Sequence, residues 1–215
     1  RLKAQQVADE LQAELREHER FVDTFSRALG KEDRFMGRDR FLRTASVYVD
    51  DRPEIVGIDW LVPVTNAERA TFEDWVRRNV DPDFPGLRDL STGQMLHPAG
   101  TRALYLPMLY TWPRSRMYAR GLDFLAAPGR SEAVARALVS TDPVATGAIT
   151  LFATGSDGIA LFRVVGEPGQ PPLGMLTLIL DTHTFVQQAV KRAGFPGFDV
   201  SLADTFFLRG LGDLA

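Results

Sequence analysis

An α+β fold with antiparallel sheets is what the sequence predicts, and three observations lead there. Candidate strands and helices mix without the regular strand-helix alternation that a doubly wound parallel sheet requires. Two β-type runs, 148–154 and 158–165, are joined by Gly155-Ser156-Asp157-Gly158, a hairpin turn sequence that makes them antiparallel neighbours. The first 29 residues lack Gly and Pro, and Val7, Leu11, Leu15, Phe21, Val22, Phe25 and Leu29 recur close to helical spacing, so a long amphipathic helix precedes the sheet elements.

The elements follow in order. Gly30 ends the first helix, as glycine commonly does just past a helix C-terminus. A second helix is expected over 38–50, with Phe41, Leu42, Ala45, Val47 and Tyr48 as its apolar face, broken by Asp50-Asp51-Arg52-Pro53. The β-branched and aromatic run 55–62 reads as a strand. Thr65-Asn66-Ala67-Glu68 is a capping signature that opens a helix running to about Val80. Turn residues between 81 and 100 predict short strands and turns, and 103–110 predicts a strand with Pro107 at an edge or bulge. Ser131 caps a helix through Val139, 166–172 is a Gly/Pro-rich loop, 173–180 a strand, 184–193 a helix and 198–202 a last strand.

Composition narrows the function classes. Hydrophobic residues make up 45% and charged residues 25% of 215 positions, which matches a folded globular chain. A formal net charge of −3 gives no general pull toward nucleic acid phosphates, so no nucleic acid partner is expected. Cysteine is absent, which removes disulfides, thiolate nucleophiles and Cys-based zinc sites together and suits an oxidising compartment. The chain has no strongly apolar run long enough for a membrane span, yet it starts inside a helix and stops without an evident ending, so flanking segments are expected.

Catalytic templates fail. G-x-G-x-x-G, the P-loop, G-x-S-x-G and H-E-x-x-H are all missing. His18, His97 and His183 lie far apart, none at ligand spacing with a second His or a carboxylate, and each is expected on the surface or in a loop. Glu73-Asp74 is expected on a solvated helix face. No enzyme activity, no metal site and no cofactor are expected, and a secreted hydrolase ranks last.

Three ordered stretches then carry a resemblance. GIDWLVPVTNAERATFE (57–73), LYLPMLY (104–110) and GLDFLAAPGRSEAVARAL (121–138) resemble the CHASE family, the extracellular sensor domains of plant cytokinin receptors and many bacterial receptors. The residues that carry it are Trp60, Glu68-Arg69, Phe72-Glu73, Tyr105, Pro107, Gly121, Asp123 and Arg130, and the likeness is clearest from about residue 41 to 181. It implies a long helix leaving a transmembrane segment, then tandem PAS-like modules: a stalk and dimerisation helix at 1–37, a membrane-distal ligand-binding module at 38–165, and a membrane-proximal module at 166–215 that shares elements with the N-terminal part. It also implies a periplasmic domain of an inner-membrane protein, a cytoplasmic histidine kinase or diguanylate cyclase output, and a small organic ligand, of which an adenine-type cytokinin is the specific candidate; the apolar stripe of the 1–29 helix in turn predicts a homodimer formed through it.

In the plant members an aspartate bonds the adenine ring, and the matching position is Asp123. A carboxylate can accept hydrogen bonds from an exocyclic amine and a ring N–H while apolar walls bury the rest. Asp123 as the cap of a turn before Pro128-Gly129 is the equal alternative. The resemblance adds Tyr105, Met108, Phe124 and the segment with Thr146, Ala148 and Thr150 to the pocket, although aromatic and Met residues on strands normally pack inward. Trp60, Phe72 and Arg130 are assigned to structure, Arg130 as the partner of a helix carboxylate. Thr141-Asp142-Pro143 replaces the family's Thr-Gly pair, and Thr146-Gly147 follows five residues later. A dimerisation or protein-interaction module without a ligand is the competing reading.

Overall fold

The computed structural model describes residues 2–29, 35, 37–113, 119–151, 154–166 and 170–195. Helix α1 (Leu2–Leu29) and helix α2 (Arg38–Val49) lead into strand β1 (Ile55–Leu61). Then come β2 (Val64–Thr65), α3 (Arg69–Asn79), β3 (Arg88–Leu90), β4 (Leu96–Pro98), β5 (Leu104–Tyr105) and β6 (Met108–Trp112). Helix α4 (Ser131–Ala137), β7 (Val144–Ala145), β8 (Ile149–Thr150), β9 (Asp157–Val165), β10 (Gly174–Asp181) and α5 (Thr182–Arg192) complete the described elements.

The principal sheet is antiparallel with strand order β6-β1-β10-β9-β7, and β8 also pairs with β9. Because β10 lies between β1 and β9, strands from both sides of residue 166 share one sheet. Alternation along β1 sends Ile58 and Trp60 to one face and Asp59 and Leu61 to the other. On the first face α1, α2 and α5 cover Ile58, Trp60, Leu161, Leu176 and Leu178. On the second, Leu61, Phe162, Met175 and Ile179 meet Leu106, Leu122 and Phe124 and the α4 residues Ala133 and Val134. Gly174 makes the Trp60 position possible, since a Cβ there would lie 2.4 Å from the indole ring.

Several local expectations are corrected. Thr65 and Glu68 do bond reciprocally, Thr65 N–H to Glu68 Oε2 at 3.0 Å and Glu68 N–H to Thr65 Oγ1 at 3.3 Å, but their bonds close a turn and α3 begins only at Arg69. Ser131 is the first residue of α4, with Arg130 at the N-cap position and no side-chain cap. The run 103–110 is two strands. Pro107 separates β5 from β6, and the β1–β6 register shifts opposite it, between Trp60 and Leu61. The hairpin connection is wider than a two-residue turn: β8 ends at Thr150 and β9 starts at Asp157, with Leu151 N–H donating to Ser156 O at 2.8 Å and Gly155 at φ +70. The expected strand 198–202 lies outside the described residues.

Candidate ligand-binding site

Asp123 sits where the loop after β6 returns to the sheet, bridged to Pro107, and it is fully buried. Its Oδ1 accepts from Leu106 N–H at 2.8 Å and from Leu125 N–H at 3.0 Å. The second of these is the short-range bond of a turn cap, so Asp123 does organise its own turn. Oδ2 accepts from Arg102 Nη1 at 2.6 Å, and Arg102 Nη2 also donates to Asp89. The same Asp89 oxygen accepts from Gly100 N–H at 3.0 Å. One guanidinium thus spans two carboxylates, with Arg102 side chain 26% exposed against 0% for Asp123.

That difference in burial explains the electrostatics. Burial pushes Asp123 above the ordinary aspartate range, and the bonds from Leu106 and Leu125 and the charge of Arg102 only partly offset it. For Arg102 burial works against the charge, but its bonds to the two aspartates outweigh it and the guanidinium stays firmly charged.

Tyr105 continues this network. Its buried hydroxyl lies 3.1 Å from Asn66 Oδ1 and 3.0 Å from Gly100 O, to one of which it donates. It accepts from Arg102 N–H at 3.1 Å and from Arg69 Nη1 at 3.3 Å. Met108 and Phe124 are buried on the second face of the sheet, Phe124 edge-on to Phe162 at 6.0 Å. Thr146 is buried and tied to β9 by Ala160 N–H donating to its Oγ1 at 3.0 Å. Ala148 and Thr150 are exposed. The structure therefore brings Asp123 and Tyr105 into one polar network beside Met108 and Phe124, and leaves Ala148 and Thr150 facing solvent.

Arg130 is buried and donates to the carbonyls of Pro128 and, at 3.0 Å, Thr150. Other sequence expectations change here. Glu73 is not on a solvated face: it accepts from Arg69 Nε at 2.9 Å and from Leu87 N–H at 3.1 Å, whereas Asp74 is exposed. His18 is not a surface residue but one of the most buried polar groups in the chain. Among the described residues no group of three or more His, Cys, Asp or Glu side chains is placed to hold a metal ion.

Sequence reasoning passed over Arg102 and Asp89, and it passed over a second polar set on the same sheet face. Asp59, Thr111 and Thr177 occupy facing positions on β1, β6 and β10, and all three are buried. Thr111 Oγ1 donates to Asp59 Oδ1 at 2.7 Å, and the Thr177 hydroxyl has no hydrogen-bond partner. A lone acid inside the apolar run 55–61 was the available signal.

Comparisons with known proteins agree with this architecture. A family model, described as CHASE domain, matches residues 35–207. An extracellular ligand binding receptor from Desulfohalobium retbaense DSM5692 is 15% identical with a TM-score of 0.57, over 89% of this chain and 26% of that one. The ligand-binding domain of the Pseudomonas fluorescens chemoreceptor CtaA, solved in complex with L-valine, is 12% identical with a TM-score of 0.50, over 87% of this chain and 62% of that one. The extracellular domain of soHK1S-Z6, described as a histidine kinase, is 13% identical with a TM-score of 0.52, over 88% of this chain and 60% of that one. These likenesses show a shared fold, and this chain spans less than two thirds of each protein. A search of curated proteins found no match to the sequence.

Proposed function

The chain belongs to the CHASE domain family, a family of sensor and not catalytic domains, and from that premise we propose that it is the extracytoplasmic input module of a membrane-anchored receptor that binds a small organic molecule at Asp123. The observation that carries this reading is the fully buried carboxylate of Asp123 held against a partly exposed Arg102. Burying an ion pair seldom stabilises a fold over an apolar replacement, so its presence beside an apolar cluster favours recognition as its use.

An adenine-type cytokinin is the first ligand to test. Its N–H groups would donate to Asp123, its ring nitrogens would accept from Arg102, and Tyr105, Met108 and Phe124 would wall the rest. Thr146 lines the far side in this reading, and Ala148 and Thr150, which face solvent, would meet a ligand only at its outer rim. A zwitterionic amino acid is the second candidate, because one guanidinium between two carboxylates complements a carboxylate and an ammonium, and CtaA holds L-valine.

Calorimetry with isopentenyladenine and with L-valine tests both, on the wild type, Asp123→Asn and Arg102→Gln. Tight binding of the purine, weakened about tenfold or more by Asp123→Asn, supports the cytokinin reading. Binding of L-valine that Arg102→Gln abolishes assigns the amino acid instead. A ligand that binds Asp123→Asn as well as wild type overturns the site, and binding of neither leaves the interaction-module reading.

Signal passage runs through α1 in this proposal, since α1 packs on β9, β10 and α5. Only a ligand that favours one arrangement of α1 over another can transmit anything. We place the homodimer contact on the α1–α2 face, where a groove of about 530 Å³ is lined by Phe21, Arg43, Thr44, Val47, Tyr48 and Arg52, with Val47 76% exposed. Sedimentation velocity should show a concentration-dependent dimer that Val47→Glu abolishes; a wild-type chain that stays monomeric throughout removes this contact.

A further inference from the structure

The buried stripe of α1 recurs at Val7, Leu11, Glu14, His18, Val22, Phe25 and Leu29, an eleven-residue rhythm with two ionisable residues at its centre. Glu14 and His18 are as buried as their apolar neighbours, at 3% and 2% exposure. They face Glu54, at 1%, on the segment entering β1, and Arg192 at the end of α5. His18 Nε2 is 3.5 Å from Glu54 Oε1, its Nδ1 is 3.1 Å from the Tyr48 hydroxyl of α2, and its ring packs on Phe185 of α5 at 5.9 Å. Arg192 Nη1 is 3.0 Å from Glu14 Oε1. Glu10 and Glu17 of α1 add negative charge around this set, and Arg52 pairs with Glu17 and lies over the Tyr48 ring.

Two carboxylates against one guanidinium leave the cluster one positive charge short of neutral. The oxygens of both glutamates and Nε2 of His18 are buried without a well-formed hydrogen bond. An uncompensated charge in such a place is costly enough that the cluster gains by taking up a proton.

We propose that Glu14, His18, Glu54 and Arg192 form a proton-binding site through which pH is a second input to this sensor, proton uptake clamping α1 onto α5 and the sheet and proton loss loosening it. Burial, reinforced by the charges of Glu54, Glu10 and Glu17, outweighs Arg192 and pushes Glu14 up to about 7, so its titration falls in the neutral range. Glu54 stays ionised: burial raises it, but the His18 contact and the charge of Arg192 outweigh that and hold it below the ordinary glutamate value. The sign follows. Between the ordinary value of 4.5 and about 7 the docked state binds more protons than the undocked one, so docking weakens as pH rises through that window and is level above it.

Hydrogen exchange of the 215-residue chain at about pH 5.5 and about pH 8, corrected for intrinsic rates, tests this without any ligand. Amides of α1 should lose on the order of tenfold in protection at the higher pH, while those of β10 change little. Glu14→Gln, which keeps the shape of the protonated side chain, should hold the acid level of protection at both values. Arg192→Gln, which removes the opposing cation, should move the midpoint upward. Equal α1 protection at both pH values in the wild type, or a wild-type pH dependence that survives in Glu14→Gln, overturns the proposal; if Glu14→Gln does not fold, an unmoved midpoint in Arg192→Gln does the same.

Discussion

Gly121 shows how one residue sets the geometry around Asp123. Its φ of +77 lies in the left-handed region, and a Cβ would meet the carbonyl oxygen of Gly86 at 2.2 Å, a backbone atom that cannot swing aside. Gly121→Ala should therefore cost roughly 2–4 kcal/mol, read as a lower urea midpoint with an unchanged slope. A midpoint equal to wild type would mean that the 121–124 turn is looser than its contacts indicate. The sequence made Asp123 and Tyr105 legible because each sits in a short motif that stays together along the chain. Arg102 and Asp89 were illegible because their partners come from the fold, Arg102 reaching 13 residues to Asp89 and 21 to Asp123; Asp59 stood out only as a lone acid in an apolar run, its partner Thr111 being 52 residues away.

At the scale of elements, local patterns located the helices and strands well, and tertiary contacts decided their ends. Helix α2 was expected over 38–50 and occupies Arg38–Val49, and the strand expected at 173–180 is Gly174–Asp181. Pro107 was read as an edge or bulge and divides two short strands, for the reason anticipated, its lack of an N–H. The start of α5 shows what local reading lacks. Asp181 ends β10 and at once caps α5, accepting from Thr184 N–H and Thr184 Oγ1 at 2.8 Å and, across to the hairpin, from Ser156 Oγ at 2.8 Å. Burial would raise its carboxyl, but these donors outweigh it and hold the group below the ordinary aspartate value of 3.8. A lowered carboxylate stabilises the fold fully above its unfolded value, and that contribution disappears as pH falls through the folded one. Asp181→Ala should cost about 1 kcal/mol near neutrality, and denaturation curves of variant and wild type should converge as the pH drops below about 4. A constant gap across that range would show that the side chain acts through packing alone.

For the whole molecule, the helical rhythm left the relation of α1 to the sheet open, while the family likeness implied a stalk and dimerisation helix. A stripe of this kind can serve a twin chain or its own domain, and nothing in its spacing distinguishes them. Here the stripe belongs to the core. Val22 is fully buried, Phe25 stacks on Phe41 at 5.8 Å, and Arg163 of β9 reaches Asp23 at 3.2 Å. The α1 side chains cover the same face that carries Leu161 and Leu178, and each such aliphatic group loses about 1.5–3 kcal/mol of burial when uncovered. A chain lacking residues 2–29 would expose that face together with Glu54 and Arg192, stripped of Glu14 and His18. Since a natural domain has only about 5–15 kcal/mol in hand, the loss is of the order of the total. The truncated chain should show no cooperative thermal transition, a weakened near-ultraviolet circular dichroism spectrum and strong binding of an apolar dye such as ANS. Should it instead melt cooperatively with a native spectrum, α1 would be a lever resting on an independently stable module, and movement of that lever could then be driven from either end without cost to the fold.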